Sequence, residues 1–273
     1  MSTEILRYAA FTDTPEGGNP AGVVLDASGL GDAEMQAIAA DVGYSETAFV
    51  TAADGNVLVV RYFSPLAEVP FCGHATIATG VAWGDRHGDG LLALTTPAGL
   101  VEVKVADGVA TLTSVDPSSS ELDEDDLDVM LHALHWERAD LDPSIPPRVA
   151  YAGAHHPVLA VAESDRLASL DYEFDRLAAL MAARDWTTVQ LVHRTAPDRF
   201  RSRNPFPPGG VVEDPATGAA AAAFGGYLRE LGAVDPPATV TIDQGIELGR
   251  PSLLTVRIPE SGGISVSGTA VPI

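Results

Sequence analysis

The chain has 273 residues, 46% of them hydrophobic, which is enough for one large domain or two domains of ordinary size. Its net charge of −22 argues against nucleic acid and anionic membranes as partners, because both attract basic patches. A single cysteine excludes an internal disulfide framework and a multi-cysteine metal site. With no signal-peptide pattern and no stretch apolar enough for a membrane span, we expect a cytoplasmic protein.

The first part of the chain predicts short strands and few helices. Apolar residues at helical spacing from Asp32 to Val42 predict a helix, and Gly43 is placed to end it. Strands are expected at residues 4–11, 21–25, 44–50, 56–63, 91–96, 100–105 and 109–115.

An acidic, serine-rich stretch at residues 116–128 marks a change in composition. An amphipathic helix is predicted here by the apolar residues Leu122, Leu127, Met130, Leu131 and Leu134. We place the domains at residues 1–117 and 118–261, and we expect a last strand at about 262–273 that packs back on the first domain. The second half repeats the plan of the first, with a helix near residues 174–181. Its strands are expected at residues 148–152, 158–162, 187–193, 199–203, 240–243, 253–258 and 264–271. Because strands and helices do not alternate strictly, the pattern predicts an α+β fold.

Each half contains one proline-bearing loop that leads into a helix of small residues. The first such junction runs from Phe63 to Thr76, and the second is a Pro/Gly-rich loop from Arg203 to Gly218 followed by five alanines. Pro215 is compatible with the first turn of the second helix. Helix N-termini bind anions, so both junctions are candidate sites. Their similar form suggests an internal duplication.

Four titratable side chains near these junctions each have two interpretations. Glu46 is either a solvent-facing carboxylate or a general base. His74 either bonds to its own loop or acts as a neutral proton donor or acceptor at the helix N-terminus. Cys72 is either a small buried apolar residue or a proton-transfer thiol. Asp214 is either a helix N-cap or a site carboxylate.

Other histidines and glycines carry weaker signals. His155 and His156 are adjacent on a predicted strand and point to opposite faces, which argues against a metal site. His132 and His135 are expected to face solvent. The glycine pair at residues 209–210 is not a nucleotide-binding fingerprint.

Five motifs together resemble the PhzF-like (phenazine biosynthesis) family, which has the diaminopimelate epimerase-like fold. They span nearly the whole chain in the family's order. The motifs are Gly18–Val23, Tyr44–Phe49, Phe71–Thr76, Glu213–Gly218, and Asp243–Gly245 with Arg250–Ser252.

The resemblance implies two pseudo-symmetric domains, each a β-barrel-like sheet around a central helix, with the site in the cleft between them. It implies cofactor-free proton transfer without a metal, and a homodimer. The best-understood family member isomerises a dihydro-hydroxyanthranilate through a glutamate that corresponds to Glu46, while the family's site histidine and aspartate correspond to His74 and Asp214. The substrate-binding positions that it implies are Asn19, Cys72, Gly73, Thr217, Gly218 and Ala219.

The family commonly has a serine where this chain has Ala219, which offers no hydroxyl. The first hypothesis is therefore an isomerase of a small carboxylated substrate, with Glu46 as the proton shuttle. Because of Ala219, the substrate need not be the one used in phenazine biosynthesis. An amino-acid epimerase or related dehydratase that uses Cys72 is the second hypothesis, and a two-thiol racemase within one chain is excluded. The third is a binding protein that has lost catalysis.

Overall fold

A computed structural model describes residues 3–273, which divide into two compact units. Unit 1 contains the described residues up to Thr113 together with Ser267–Ile273, and unit 2 contains Ser114–Val266. None of the helices that residues 3–273 form combines the length and the hydrophobicity that a membrane span requires.

The described chain is rich in strands. The strands are β1 (Leu6–Ala10), β2 (Asn19–Val24), β3 (Glu46–Asp54), β4 (Val57–Phe63), β5 (Glu68–Val69), β6 (Gly90–Thr96), β7 (Gly99–Ala106), β8 (Val109–Thr113), β9 (Ser118–Glu121), β10 (Arg148–Tyr151), β11 (His155–Ala160), β12 (Gln190–Ala196), β13 (Arg199–Phe206), β14 (Val211–Asp214), β15 (Ala238–Gln244), β16 (Ser252–Ile258) and β17 (Ser265–Pro272). The helices are α1 (Asp32–Val42), α2 (Gly73–His87), α3 (Glu124–Ala133), α4 (Ser164–Ala168), α5 (Phe174–Arg184) and α6 (Gly218–Leu231).

Unit 1 is a closed barrel of eight strands around α2. Pairing runs from β1 through β2, β3, β4, β6, β7 and β8, and β17 pairs with both β8 and β1. Every residue of α2 from His74 to Trp83 is buried. The helix needs small residues to fit inside the sheet, since a Cβ added at Gly80 would lie 3.0 Å from the Val103 side chain.

Unit 2 follows the same plan around α6. Its strands pair in the order β9, β10, β11, β12, β13, β15 and β16. The helix packs against β9, β10, β11 and β16, and a Cβ added at Gly225 would lie 2.8 Å from the Val256 side chain. A separate hydrophobic cluster, which includes Met130, Trp136, Leu177 and Met181, packs α3 and α5 beside the sheet.

The senses of strand pairing repeat between the units. The series β1–β2–β3–β4–β6–β7 alternates antiparallel and parallel pairs, and the series β10–β11–β12–β13–β15–β16 does so in the same order. Short β5 and β14 each pair with the preceding strand and lead into the central helix. The repeated topology supports the internal duplication and confirms the α+β fold of two barrel-like halves.

Several local predictions agree with the structure, and two are wrong. The helix from Asp32 is confirmed, and it ends at Gly43, whose φ is 71°. The stretch from Arg203 to Gly218 is not one loop, because β13 continues to Phe206 and β14 follows it. Pro215 is not in the first turn of α6, which begins only at Gly218. The serine-rich strand β9 was missed, because its pairing with β10, not its own pattern, makes it extended.

Candidate functional site

The N-terminus of α2 places two of the predicted site residues. Cys72 is the N-cap residue with extended backbone, and the first intrahelical hydrogen bond runs from Thr76 N to Cys72 O at 3.0 Å. The amides of the first turn, including that of Gly73, precede this bond and are suited to an anion. Glu46 is the first residue of β3, where its Cα pairs with that of Ala21 on the parallel strand β2.

Glu46, Cys72 and His74, called the unit 1 cluster below, converge at this helix end. His74 Nε2 lies 3.5 Å from Glu46 Oε2 and 3.4 Å from Ser45 Oγ. Cys72 Sγ lies 3.3 Å from His74 Nδ1. The side chains of His74 and Glu46 are only 6% and 14% exposed. A carboxylate and an imidazole so placed can hold a proton between them or pass it to a bound molecule.

Two buried hydroxyl groups, those of Thr76 and Tyr62, form a hydrogen-bond chain to the backbone of the N-cap residue of α2. Thr76 Oγ1 donates to the Cys72 carbonyl oxygen at 2.7 Å and lies 2.7 Å from the Tyr62 hydroxyl. Because Thr76 donates to the carbonyl, the Tyr62 hydroxyl is the donor of the second bond. Burial raises the pKa of Tyr62, which keeps this donor protonated.

The strands beside Glu46 approach each other closely. A Cβ added at Gly22 would lie 2.5 Å from Thr47 Oγ1, so the approach of β2 to β3 requires glycine. Asn19, a predicted substrate-binding residue, begins β2 and is buried. Gly18 before it has φ 69°, and a Cβ there would lie 2.4 Å from the Ala10 carbonyl oxygen.

In unit 2, the structure brings Asp214 and Thr217 together with Gln244, whose role was not predicted from the sequence. Thr217 Oγ1 donates to Asp214 Oδ2 at 2.6 Å. Gln244 Nε2 donates to the Asp214 carbonyl oxygen at 2.7 Å and to Thr217 Oγ1 at 3.0 Å, while Thr217 N donates to Gln244 Oε1 at 3.2 Å. The N-cap of α6 is Thr217, so Asp214 is not a helix cap but the acceptor of a fixed, buried hydrogen-bond chain.

The strand that carries Asp214 is fixed by a buried ion pair. Arg203 contacts Glu213 through two hydrogen bonds, of which Nε to Oε2 measures 2.9 Å, and the two side chains are 8% and 5% exposed. Arg203 Nη1 also donates to the Leu167 and Ala168 carbonyl oxygens at 3.2 and 3.0 Å. This role of Arg203 was not predicted from the sequence. The only feature that could have indicated it is an arginine in a predicted strand that precedes the acidic pair Glu213-Asp214.

The remaining predicted residues lie at the N-terminus of α6. Gly218 is its first residue, and the first intrahelical bond runs from Ala221 N to Thr217 O at 3.0 Å. The amides of Gly218 and Ala219 therefore precede the intrahelical ladder, as the corresponding amides of α2 do. Ala219 is partly exposed and contributes a methyl group to this helix end.

The repeated strand register defines which residues correspond in the two units. Ala21 pairs with Glu46 in unit 1, and Val158 pairs with Gln190 in unit 2, so Glu46 corresponds to Gln190. The same register matches Asn19-Pro20 with His156-Pro157. The N-caps and the residues after them match Cys72 with Thr217, Gly73 with Gly218 and His74 with Ala219. At the corresponding positions, unit 2 has Gln190, Thr217 and Ala219, whose side chains do not ionise near neutral pH. The unit 1 cluster therefore has no ionisable counterpart at these three positions of unit 2.

The counterpart region in unit 2 is a buried polar network. Asn204 Nδ2 donates to Gln190 Oε1 at 2.6 Å and to Thr188 Oγ1 at 3.1 Å, and Thr188 Oγ1 lies 2.9 Å from His156 Nδ1. Burial lowers the pKa of His156 to about 4, and the neighbouring His155 adds to this, so the imidazole is neutral at pH 7. The two histidines face opposite sides of β11, as predicted.

A family model described as phenazine biosynthesis-like protein (PhzC-PhzF) matches residues 8–273. The chain is 32% identical over 272 residues to the trans-2,3-dihydro-3-hydroxyanthranilate isomerase of Pseudomonas fluorescens, covering 96% of this chain and 94% of that one. It is also 32% identical over 288 residues to the uncharacterized isomerase YfhB of Bacillus subtilis, covering 98% and 96% of the two chains.

Solved structures show the same relationship. A PhzF-family phenazine biosynthesis protein from Bacillus anthracis matches with a TM-score of 0.88 and 27% identity, covering 100% of this chain and 98% of that one. A probable proline racemase from Agrobacterium radiobacter, at 14% identity and a TM-score of 0.66, shares the fold, covering 100% and 91% of the two chains. The predicted isomerase class agrees with the names of the curated relatives, and the chain belongs to the phenazine biosynthesis-like (PhzC-PhzF) family.

Proposed function

We propose that the protein is a cofactor-independent isomerase that moves a proton on a small carboxylated substrate, with Glu46 as the general acid and base. The observation that carries this proposal is the pair of ionisable side chains Glu46 and His74, 3.5 Å apart and largely buried. Glu46 takes the proton from carbon and returns it elsewhere on the substrate, and His74 stabilises the charge that Glu46 gains or loses.

The helix N-termini supply the proposed binding groups. Amides at the first turn of α2, beginning with Gly73, hold the substrate carboxylate, because they point out of the helix and lie at its positive end. Asp214 orients a donor group of the substrate, and its hydrogen bond from Thr217 fixes the carboxylate for that role. Asn19, Gly218 and Ala219 are proposed as further substrate contacts.

The names of the relatives support only a class of substrate for this protein, namely a small carboxylated molecule. The Pseudomonas fluorescens relative is named for trans-2,3-dihydro-3-hydroxyanthranilate, a small carboxylated ring. The methyl group of Ala219 cannot replace a hydroxyl hydrogen bond, and a buried polar atom left unpaired costs roughly 1–3 kcal/mol. We therefore propose a small carboxylated substrate that differs in the polar group facing this position.

An epimerase or dehydratase that uses Cys72 is the alternative, and its support is the 3.3 Å contact between Cys72 Sγ and His74 Nδ1. The position that corresponds to Cys72 in unit 2 is Thr217, whose hydroxyl is engaged with Asp214, so this route lacks a second thiol. Alkylation of Cys72 discriminates: inactivation that substrate prevents supports the alternative. Ligand binding without any proton exchange would instead favour a non-catalytic binding protein.

The test is solvent deuterium incorporation into a panel of small carboxylated metabolites, followed by mass spectrometry. We expect Glu46→Gln to lower the rate by roughly 10²–10⁴-fold, the usual contribution of a general acid or base. Glu68→Gln is the matched control, because Glu68 is ion-paired with Arg61 and is not a member of the unit 1 cluster. A Glu46→Gln variant as active as the wild type would exclude the proposed role. The homodimer and the cytoplasmic location stay predictions.

A further inference from the structure

The unit 1 cluster presents three kinds of metal-ligating atom at one point. A carboxylate oxygen of Glu46, the Cys72 sulfur and an imidazole nitrogen of His74 all lie within 4.8 Å of one another. His74 Nε2 is 3.5 Å from Glu46 Oε2 and 3.8 Å from Cys72 Sγ. Because the cluster combines a carboxylate, a thiol and an imidazole, it differs from a surface patch of acidic residues.

The ligand atoms lie close to the separations of a tetrahedral zinc site. With zinc bonds of about 2.0–2.3 Å, tetrahedral geometry separates neighbouring ligand atoms by roughly 3.3–3.8 Å. The separation of 3.5 Å between His74 Nε2 and Glu46 Oε2 falls within this interval. Cys72 Sγ lies nearer to Nδ1, at 3.3 Å, than to Nε2, at 3.8 Å, so a metal that binds all three residues requires the imidazole to turn. Three protein ligands leave a fourth position for water, as in zinc sites with an open coordination position.

The local charge also suits a cation. An ionised Glu46 and a Cys72 thiolate bring two negative charges, whereas the N-terminus of α2 contributes only about half a positive charge. The net charge of −22 adds a field that attracts cations. A thiolate and an imidazole favour Zn²⁺ and Co²⁺ over Mg²⁺ and Ca²⁺, which require mainly oxygen ligands.

We propose that a thiophilic divalent cation of the Zn²⁺ class binds Glu46, Cys72 and His74 and stops proton transfer. Bound metal takes the carboxylate oxygen and the imidazole nitrogen that the reaction uses, so it acts as an inhibitor. The inhibitory part rests on the proposed isomerase function, whereas the binding part does not. This revises the expectation from sequence that the chain has no metal site.

Binding is tested without any substrate by titrating the full-length protein, freed of metal with a chelator, with Co²⁺. We expect one equivalent to produce the thiolate-to-cobalt charge-transfer absorption, which Zn²⁺ abolishes by displacement and Mg²⁺ at the same concentration does not. Cys72→Ser should remove the absorption. Glu46→Gln should weaken Co²⁺ binding by more than about tenfold, since even outer-shell partners of a metal contribute roughly 10–100-fold.

The control is the double variant His132→Ala and His135→Ala, which removes two exposed imidazoles of unit 2. This variant should bind Co²⁺ as the wild type does. Absence of the charge-transfer absorption in the wild type, or its persistence in Cys72→Ser, would overturn the proposed site.

Inhibition is then measured by the deuterium assay. If exchange occurs, one equivalent of Zn²⁺ should abolish it, and full activity of the zinc-loaded protein would refute the inhibitory role. If the charge-transfer absorption appears and no metabolite in the panel exchanges, the metal site stands and the proposed isomerase function fails. The failure of one proposal is therefore distinguishable from the failure of the other.

Discussion

The loop-to-helix junctions of unit 1 and unit 2 share one arrangement of strands and helix, but their side chains differ in chemistry. At corresponding positions, unit 1 has Glu46 and His74, while unit 2 has Gln190 and Ala219. The carboxylate of unit 1 keeps some contact with solvent, whereas Gln190 is completely buried in a neutral network. At these two positions, the repeated backbone carries ionisable side chains in unit 1 and side chains without a charge in unit 2.

The difference shows what each junction tolerates. A partly exposed carboxylate can gain and lose a proton at modest cost, which proton transfer requires. A fully buried group pays the desolvation free energy of any charge, so it remains neutral or needs a partner. Unit 2 uses both solutions, with a neutral network around His156 and a buried ion pair between Arg203 and Glu213.

The largest effect is expected at the buried ion pair of unit 2. Glu213→Gln leaves the Arg203 guanidinium buried without its counter-charge, which should lower the free energy of unfolding by roughly 3–5 kcal/mol. Urea denaturation measures the change. The control is Glu4→Gln, which breaks the exposed pair with Arg86 and should have a much smaller effect. Equal losses in the two variants would contradict the anchoring role of Glu213.

Exchanging chemistry between the junctions tests the comparison directly. Gln190→Glu places the unit 1 carboxylate in the buried network, where it either becomes protonated or remains charged without the solvation that water provides. The free energy of unfolding at pH 7 should fall by up to roughly 4 kcal/mol, at about 1.4 kcal/mol for each pH unit above the usual pKa of about 4.3. The reverse change, Glu46→Gln, should leave stability nearly unchanged. A Gln190→Glu protein as stable as the wild type at pH 7 would show that the network accepts charge.

The neutral histidine of unit 2 predicts a pH dependence of stability. The unfolded chain protonates His156 near pH 6.5, while the folded chain does so only near pH 4, so the unfolded state binds more protons between these values. Stability should therefore fall as the pH is lowered from 6.5 to 4, by on the order of 3 kcal/mol.

The His156→Asn variant, which carries the residue found at the corresponding position of unit 1, should lose this part of the pH dependence. Urea denaturation at a series of pH values measures it. An unchanged pH profile in His156→Asn would assign the dependence to other groups.

The smallest expected effect concerns the hydroxyl at the N-cap of α6. Thr217→Val keeps the shape but removes the donor to Asp214 and the acceptor for Gln244, at a cost of roughly 1–3 kcal/mol. Thr217→Ser retains the hydroxyl and should restore most of that stability in thermal or urea denaturation. If Ser and Val behave alike, the hydrogen-bond chain contributes nothing to stability.

Much of this arrangement was readable from local patterns. Helical spacing and a terminal glycine located α1, and the motif around His74 correctly predicted a helix N-terminus. The fold class followed from many short strands around few helices, with the family resemblance supplying the barrel and its pseudo-symmetry. Strand β9 could not be predicted, because four polar residues become extended only through their pairing with β10.

The sequence by itself determined the chemistry available: one thiol, the carboxylates of Glu46 and Asp214, and an alanine without a hydroxyl at position 219. Only the tertiary structure decided which of these groups meet. It joined Glu46 to Cys72 and His74, and it joined Asp214 to Gln244, 30 residues further along the chain. Such contacts depend on strand register and on the position of a buried helix, which are set by packing across the whole barrel and not by neighbouring residues.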